Sequence, residues 1–96
     1  MKHQSQPDAY ELCEPFLLLK TKEEAYAFLK DLCTPQELEV LTERWRVCKL
    51  LHQDELSYRE IHRISGASLT TIGRVARFLK IETNRGYLRV LKRMKK

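Results

Sequence analysis

The sequence predicts an all-α fold, and three observations favour that class. No stretch alternates apolar and polar residues for long enough to specify a half-buried strand. Glycine and proline, which interrupt helices, occur only three times each in 96 residues. Hydroxyl and acidic side chains recur at the spacing that caps a helix N-terminus. The predicted helices span residues 8–20, 22–32, 35–52, 58–64, 69–80 and 85–95.

Capping sequences mark the best-defined helix boundaries. Thr21 and Ser57 each precede a glutamate by three residues, so that each pair of side chains can satisfy the other's free backbone N–H. Thr34-Pro35 adds a proline at the first helical position, where its missing N–H costs nothing. Pro15 instead falls inside the first predicted helix, and we expect that segment to be kinked there or to begin only just before it.

The third predicted helix carries two opposed apolar stripes, whereas the surface helix of a monomer has one. We therefore expect it to be buried on both sides. A chain this short has little other surface with which to cover the stripes, which favours a homodimer whose interface contains the N-terminal helices. Packing against the chain's own flanking helices is the alternative. One stripe is Leu38, Leu41, Trp45 and Cys48, and the other is Val40, Val47 and Leu51.

Composition limits the functional classes. The 18 Lys and Arg residues against 13 Asp and Glu give a formal charge of +5, which favours a polyanionic partner. No apolar run approaches the roughly 20 residues of a membrane-spanning helix, and residues 1–7 lack the features of a secretory signal, so we expect a cytoplasmic protein. Three cysteines without a Cys-x-x-Cys pair predict neither a disulfide framework nor a zinc site. No catalytic constellation is recognisable, and neither an enzyme nor a bound cofactor is expected.

The functional prediction rests on residues 57–80, where two short helical patterns flank a glycine-containing turn typical of a helix-turn-helix. Ile61 and Ile64 are predicted to form the inner face of the first helix, Gly66 can take a positive φ, and Ser68 can cap the second helix. The second helix has an inward apolar stripe and an outward face of small or cationic residues, as the major groove of DNA requires. The residues that face outward or flank the seam are Leu69, Thr70, Gly73, Arg74 and Arg77, and Thr71 is a further short side chain near the N-terminus of this helix.

From Leu32 to Leu79 the sequence resembles the bacterial Trp repressor family. The resemblance is carried by the runs LCTPQELEVLTERWRVCKLL and LSYREIHRISGASLTTIGRVARFL, and it is closest to a Trp repressor-like subgroup. It implies a six-helix, intertwined homodimer that binds double-stranded DNA at a roughly palindromic operator as a transcriptional repressor. Two alternatives stay open: a DNA-binding module of replication initiation or genome organisation, and a protein-interaction adaptor without DNA affinity.

The resemblance also assigns positions. The family's base- and phosphate-contacting places fall on Tyr58, Arg59, His62, Leu69, Thr70, Thr71 and Gly73. Its effector pocket would involve Thr34, Arg44 and Arg74, which match the family, and Val75 and Phe78, which replace a glycine and a serine. Because these larger side chains would fill the space that an indole needs, tryptophan is not expected to be the effector, and another small molecule or none would serve.

These expectations give a single domain over residues 1–96. Residues 1–7 are expected to be loosely held, 8–56 to form dimerisation helices, 57–80 the helix-turn-helix, and 81–96 a basic C-terminal helix.

Overall fold

The computed structural model describes residues 8–53 and 55–94, and every regular element within them is a helix. The predicted all-α class is therefore confirmed, whereas the expectation for residues 1–7 lies outside the described residues. None of the described helices is long and apolar enough to cross a membrane. The helices are α1 (Ala9–Phe16), α2 (Lys22–Leu32), α3 (Pro35–Gln53), α4 (Tyr58–Ser65), α5 (Leu69–Lys80) and α6 (Gly86–Met94).

The chain divides into two compact units, Met1–Leu38 and Glu39–Lys96. In the first unit, neither α1 nor α2 contains a fully buried side chain. Its apolar contacts include an edge-to-face pair between Phe16 and Phe28, whose ring centroids are 5.3 Å apart. Large apolar side chains therefore remain in contact with solvent in this unit, among them Tyr10, Leu17 and Tyr26.

The first helix is shorter than predicted and contains Pro15 in its last turn. It ends at Phe16, four residues short of the predicted boundary. Proline lacks the N–H that would continue the ladder, and the chain closes with short-range bonds from Leu17 N to Glu14 O and from Leu18 N to Pro15 O. The expected kink is thus a helix end.

Side-chain caps begin α2 and α3 where the sequence predicts, but the reciprocal pair expected at α2 is not formed. Thr34 Oγ1 accepts from Glu37 N at 3.1 Å, while the Glu37 carboxylate accepts from Thr34 N at 2.8 Å. At α2, Thr21 Oγ1 accepts from Glu24 N at 3.0 Å, and the Glu24 carboxylate reaches one residue further back, to Lys20 N. Each cap satisfies backbone donors that the first turn of a helix leaves unpaired.

The second unit contains the hydrophobic core, built from α3 to α6 around five large, fully buried side chains. These are Val47, Cys48, Ile61, Ile72 and Val75. The C-terminal half of α3 is buried on both sides, as expected, but its N-terminal half is not: Val40 is 46% exposed and Leu41 44% exposed. The prediction of two-sided burial thus holds within this chain for only part of the helix.

Candidate nucleic-acid interface

A complete capping box fixes the start of α4. Ser57 Oγ accepts from Glu60 N at 3.1 Å, and the Glu60 carboxylate accepts from Ser57 N at 2.8 Å. The backbone hydrogen bond from Ser57 lowers the pKa of Glu60 because it stabilises the charged form. Ile61 then points into the core and is fully buried.

The prediction that Ile64 is buried was wrong. This residue was expected to share the inner face with Ile61, but it is 53% exposed. The helix is only eight residues long, and Leu56 before it and Ala67 after it contribute to the core together with Ile61. Ile61 is therefore the buried residue through which α4 enters the core, and Ile64 lies on its solvent side.

The turn between α4 and α5 is tied down by local hydrogen bonds. Gly66 has φ 78°, as predicted, and its N–H donates to His62 O at 2.9 Å. Ser65 Oγ donates to Ile61 O at 2.7 Å and accepts from Ala67 N at 3.0 Å. Ala67 is completely buried. The turn is therefore held both by its own polar groups and by a methyl group seated in the core.

His62 contributes a further bond to this turn. Its Nδ1 lies 2.6 Å from Ala67 O, while the residue as a whole is exposed. The imidazole therefore has two environments: one nitrogen holds the turn, and the rest of the ring faces solvent. His62 was predicted to contact DNA, and its bond to Ala67 O was not foreseen. Nor was the role of Ser65 in the turn.

The second helix of the motif begins at Ser68. Its hydroxyl accepts from Thr71 N at 3.1 Å, as the capping prediction required, and also donates to Thr71 Oγ1 at 3.1 Å. The predicted inward stripe is confirmed as buried. That stripe is Ile72, Val75, Ala76 and Leu79.

The opposite face of α5 presents short and cationic side chains to solvent. Thr71 and Gly73 are half-buried, and a Cβ built at Gly73 would meet only open space. The exposed residues that sequence analysis assigned to DNA contact are Leu69, Thr70, Arg74 and Arg77 on α5, and Tyr58, Arg59 and His62 on α4. This face can approach base edges closely at Thr70, Thr71 and Gly73, where the side chains are short or absent.

Two of these arginines share one aromatic ring. The guanidinium carbons of Arg74 and Arg77 lie 4.5 and 5.4 Å from the centroid of Phe78. Arg77 Nε also donates to Glu82 Oε2 at 2.7 Å, whereas Arg74 forms no ion pair within residues 8–53 and 55–94. The two cations are thus held differently, and sequence analysis missed the carboxylate because it lies just beyond the end of α5.

A cavity of about 570 Å³ adjoins this face. Burial raises the pKa of Tyr87, one of its lining residues, and Cys48 raises it further, whereas the charges of Arg44 and Arg74 act in the opposite direction. Both guanidinium groups therefore influence the Tyr87 hydroxyl. The lining consists of Trp45, Arg74, Phe78, Asn84, Gly86, Tyr87 and Val90.

Comparison with known proteins decides the family. A family model described as Trp repressor protein matches residues 8–95. The chain belongs to the Trp repressor family. Members of this family are DNA-binding regulators and not enzymes, in agreement with the basic outward face of α5.

Individual relatives of this Trp repressor family member agree in sequence and in structure. The uncharacterized protein YerC of Bacillus subtilis (strain 168) is 39% identical over 85 residues, which cover 88% of this chain and 80% of YerC. A TrpR-like protein from Eubacterium eligens is 39% identical with a TM-score of 0.81, over 97% of this chain and 91% of that one. A Staphylococcus aureus protein described as a candidate Trp repressor is 39% identical with a TM-score of 0.83, over 95% and 90% of the two chains.

The positions that the family resemblance assigned to an effector pocket are distributed as follows. Arg74 and Phe78 line the cavity. Val75 is buried in the core, and Arg44 is half-buried. Thr34 belongs to the first unit and caps α3. Trp45, which was expected to add bulk near this pocket, also lines the cavity, whereas the wall contributed by Tyr87 was not part of the prediction.

The turn gives a first testable prediction. Gly66→Ala should destabilise the protein by about 1 kcal/mol, because a Cβ disfavours the left-handed conformation even where, as here, no atom obstructs it. Gly73→Ala is the matched control: this glycine lies inside a helix, and alanine should stabilise it by about 0.5–1 kcal/mol. Urea unfolding of both variants would measure the two effects, and a change of the same sign in both would contradict this account.

The capping box gives a second prediction, on pH dependence. A carboxyl group whose pKa is lowered in the folded state stabilises that state above its ordinary value of 4.5, and the stabilisation disappears as the pH falls through the folded-state pKa. The free energies of unfolding of the wild type and Glu60→Gln should therefore differ at pH 7 and converge as the pH falls below about 4.5. A difference that stays constant from neutral to acidic pH would rule out the charged cap.

Proposed function

We propose that this protein is a cytoplasmic transcriptional repressor that binds double-stranded DNA sequence-specifically as a homodimer. The observation that carries the proposal is the outward face of α5, a short and well-capped helix. Threonines and a glycine occupy its N-terminal half, and exposed arginines follow them along the helix. Membership of a family of DNA-binding regulators supports it, as does the formal charge of +5.

Base reading is assigned to the first turns of α5 together with α4. The hydroxyl groups of Thr70 and Thr71 can hydrogen-bond to bases, and their methyl groups can contact a thymine methyl. Arg59 is exposed on α4 and is our first choice for a bidentate contact with guanine. Other exposed cations, Arg74 among them, would contact phosphates, so that affinity should fall steeply as the salt concentration rises.

The homodimer is supported by apolar surface that this chain does not cover. Val40 and Leu41 on α3 remain exposed, as do Tyr10 and Tyr26 in the first unit. Exposed apolar groups of this size favour association, because burial removes them from water. A two-fold dimer would place two copies of α5 in successive major grooves, with half-site centres about 34 Å apart on a roughly palindromic operator.

Selection from a pool of random duplexes tests the proposal directly. We expect enrichment of a two-fold sequence motif, and mobility shifts should show dimer binding that weakens with salt. Mapping bound sites in cells, with transcript measurements in a deletion strain, should place them at promoters whose transcripts rise without the protein. Failure to retain any duplex at low salt, with salt-insensitive capture of a protein partner, would favour the adaptor alternative instead.

Thr71 offers a residue-level prediction. Thr71→Ala should cost on the order of 1–3 kcal/mol at one base pair of the selected site and relax the preference there. The fold should be preserved, since the backbone N–H that Ser68 caps is unchanged. Thr71→Ser is the matched control for the hydroxyl. Equal losses on the selected and on random duplex would contradict a reading role for this side chain.

Free tryptophan should not be an effector of this protein. Val75 and Phe78 are larger than the glycine and serine that border the indole elsewhere in the family, and Trp45 and Tyr87 add aromatic bulk to the cavity walls. Calorimetric titration should therefore detect no binding at micromolar tryptophan, and duplex affinity should be the same with and without it. A micromolar dissociation constant would overturn this expectation.

A further inference from the structure

We propose that Glu82 is a positioning residue that withholds Arg77 from the DNA backbone and thereby limits sequence-independent affinity. The inference rests on the function proposed above and assigns different roles to the two arginines on the outward face of α5. Arg74 is presented to the duplex, whereas Arg77 is held in a closed pair with a carboxylate of its own chain.

The geometry of the pair supports this division. Arg77 Nε donates to Glu82 Oε2 at 2.7 Å, which is the short distance of a charge-assisted hydrogen bond. The backbone holds the same two residues together, because Glu82 N donates to Arg77 O at 2.9 Å at the end of α5. The backbone bond thus keeps the Glu82 side chain within reach of the Arg77 guanidinium.

Phe78 makes the arrangement more restrictive. The guanidinium of Arg77 lies over this ring while its Nε is bound to Glu82, so that two contacts define its position. Arg74 lies closer to the same ring, at 4.5 Å, but has no carboxylate partner among the described residues. Cation–π contact leaves the N–H groups of a guanidinium available to a second acceptor, whereas an ion pair occupies at least one of them.

The ion pair between Arg77 and Glu82 contributes little to the stability of the fold. A functional role can therefore be tested by substitution without unfolding the protein. The Arg77 side chain is 62% exposed and that of Glu82 33% exposed, and ion pairs in such surroundings contribute little to folding because water screens them. Near a phosphate backbone the same pair matters more, because a neutralised arginine releases no counterion. Each phosphate contact contributes about 0.9 to the slope of log K against log salt concentration.

The experiment compares Glu82→Gln with the wild type on a random-sequence 30-base-pair duplex and on the best selected duplex, over a series of salt concentrations. The variant should bind random duplex up to about fivefold more tightly near 0.15 M salt, and its slope should steepen by about 0.9. Glu39→Gln, an exposed α3 residue with the same change of charge, is the control and should leave the slope unchanged.

A double-mutant cycle with Arg77→Gln identifies the mechanism. If Glu82 acts by holding Arg77, Glu82→Gln should leave the slope unchanged in the Arg77→Gln background. A steepening that persists without Arg77 would mean that the carboxylate simply repels phosphate, and it would overturn the proposal. So would unaltered binding by Glu82→Gln in the wild-type background. A wild type that binds neither duplex at low salt would instead refute the proposed function, so the two failures are distinguishable.

Discussion

Ala67 has no accessible surface, and its burial is the constraint on which the presentation of α5 depends. The residue can enter the core only because Gly66 adopts a left-handed conformation and the Ser65 hydroxyl accepts the hydrogen bond of the Ala67 N–H. Once the methyl group is seated, the direction in which α5 leaves α4 is set by backbone geometry. The backbone of α5, from which its exposed side chains extend, is then positioned by the turn and by the core.

The outward face of α5 combines features that do not maximise the stability of a helix. A glycine in the middle of a helix costs about 0.5–1 kcal/mol relative to alanine, and Gly73 occupies such a position with open space beside it. Threonine is likewise a weaker helix former than alanine. Strong capping by Ser68 and a buried inner stripe offset these costs. A close approach to a partner surface would account for keeping these residues where packing does not demand them.

Local signals explain why so much of the fold could be predicted from the sequence. Capping boxes and the glycine turn involve residues within four positions of one another, so their geometry follows from the sequence alone, as at Ser57 and Gly66. The family resemblance added the positions of the candidate interface. The extent of α1, the exposure of Ile64 and the pairing of Arg77 with Glu82 were not foreseen. Each depends on how a helix ends or on which neighbours pack against one of its faces. The spacing of apolar residues along the sequence predicts neither.

The bond from His62 to Ala67 O determines which hydrogen-bonding group the imidazole presents to solvent. A carbonyl oxygen only accepts, so Nδ1 must carry the hydrogen that reaches Ala67 O. In the neutral imidazole the lone pair then resides on Nε2, which makes the outer nitrogen an acceptor. That nitrogen is complementary to the exocyclic amino group of adenine or cytosine, and it is mismatched to a phosphate oxygen unless a second proton arrives.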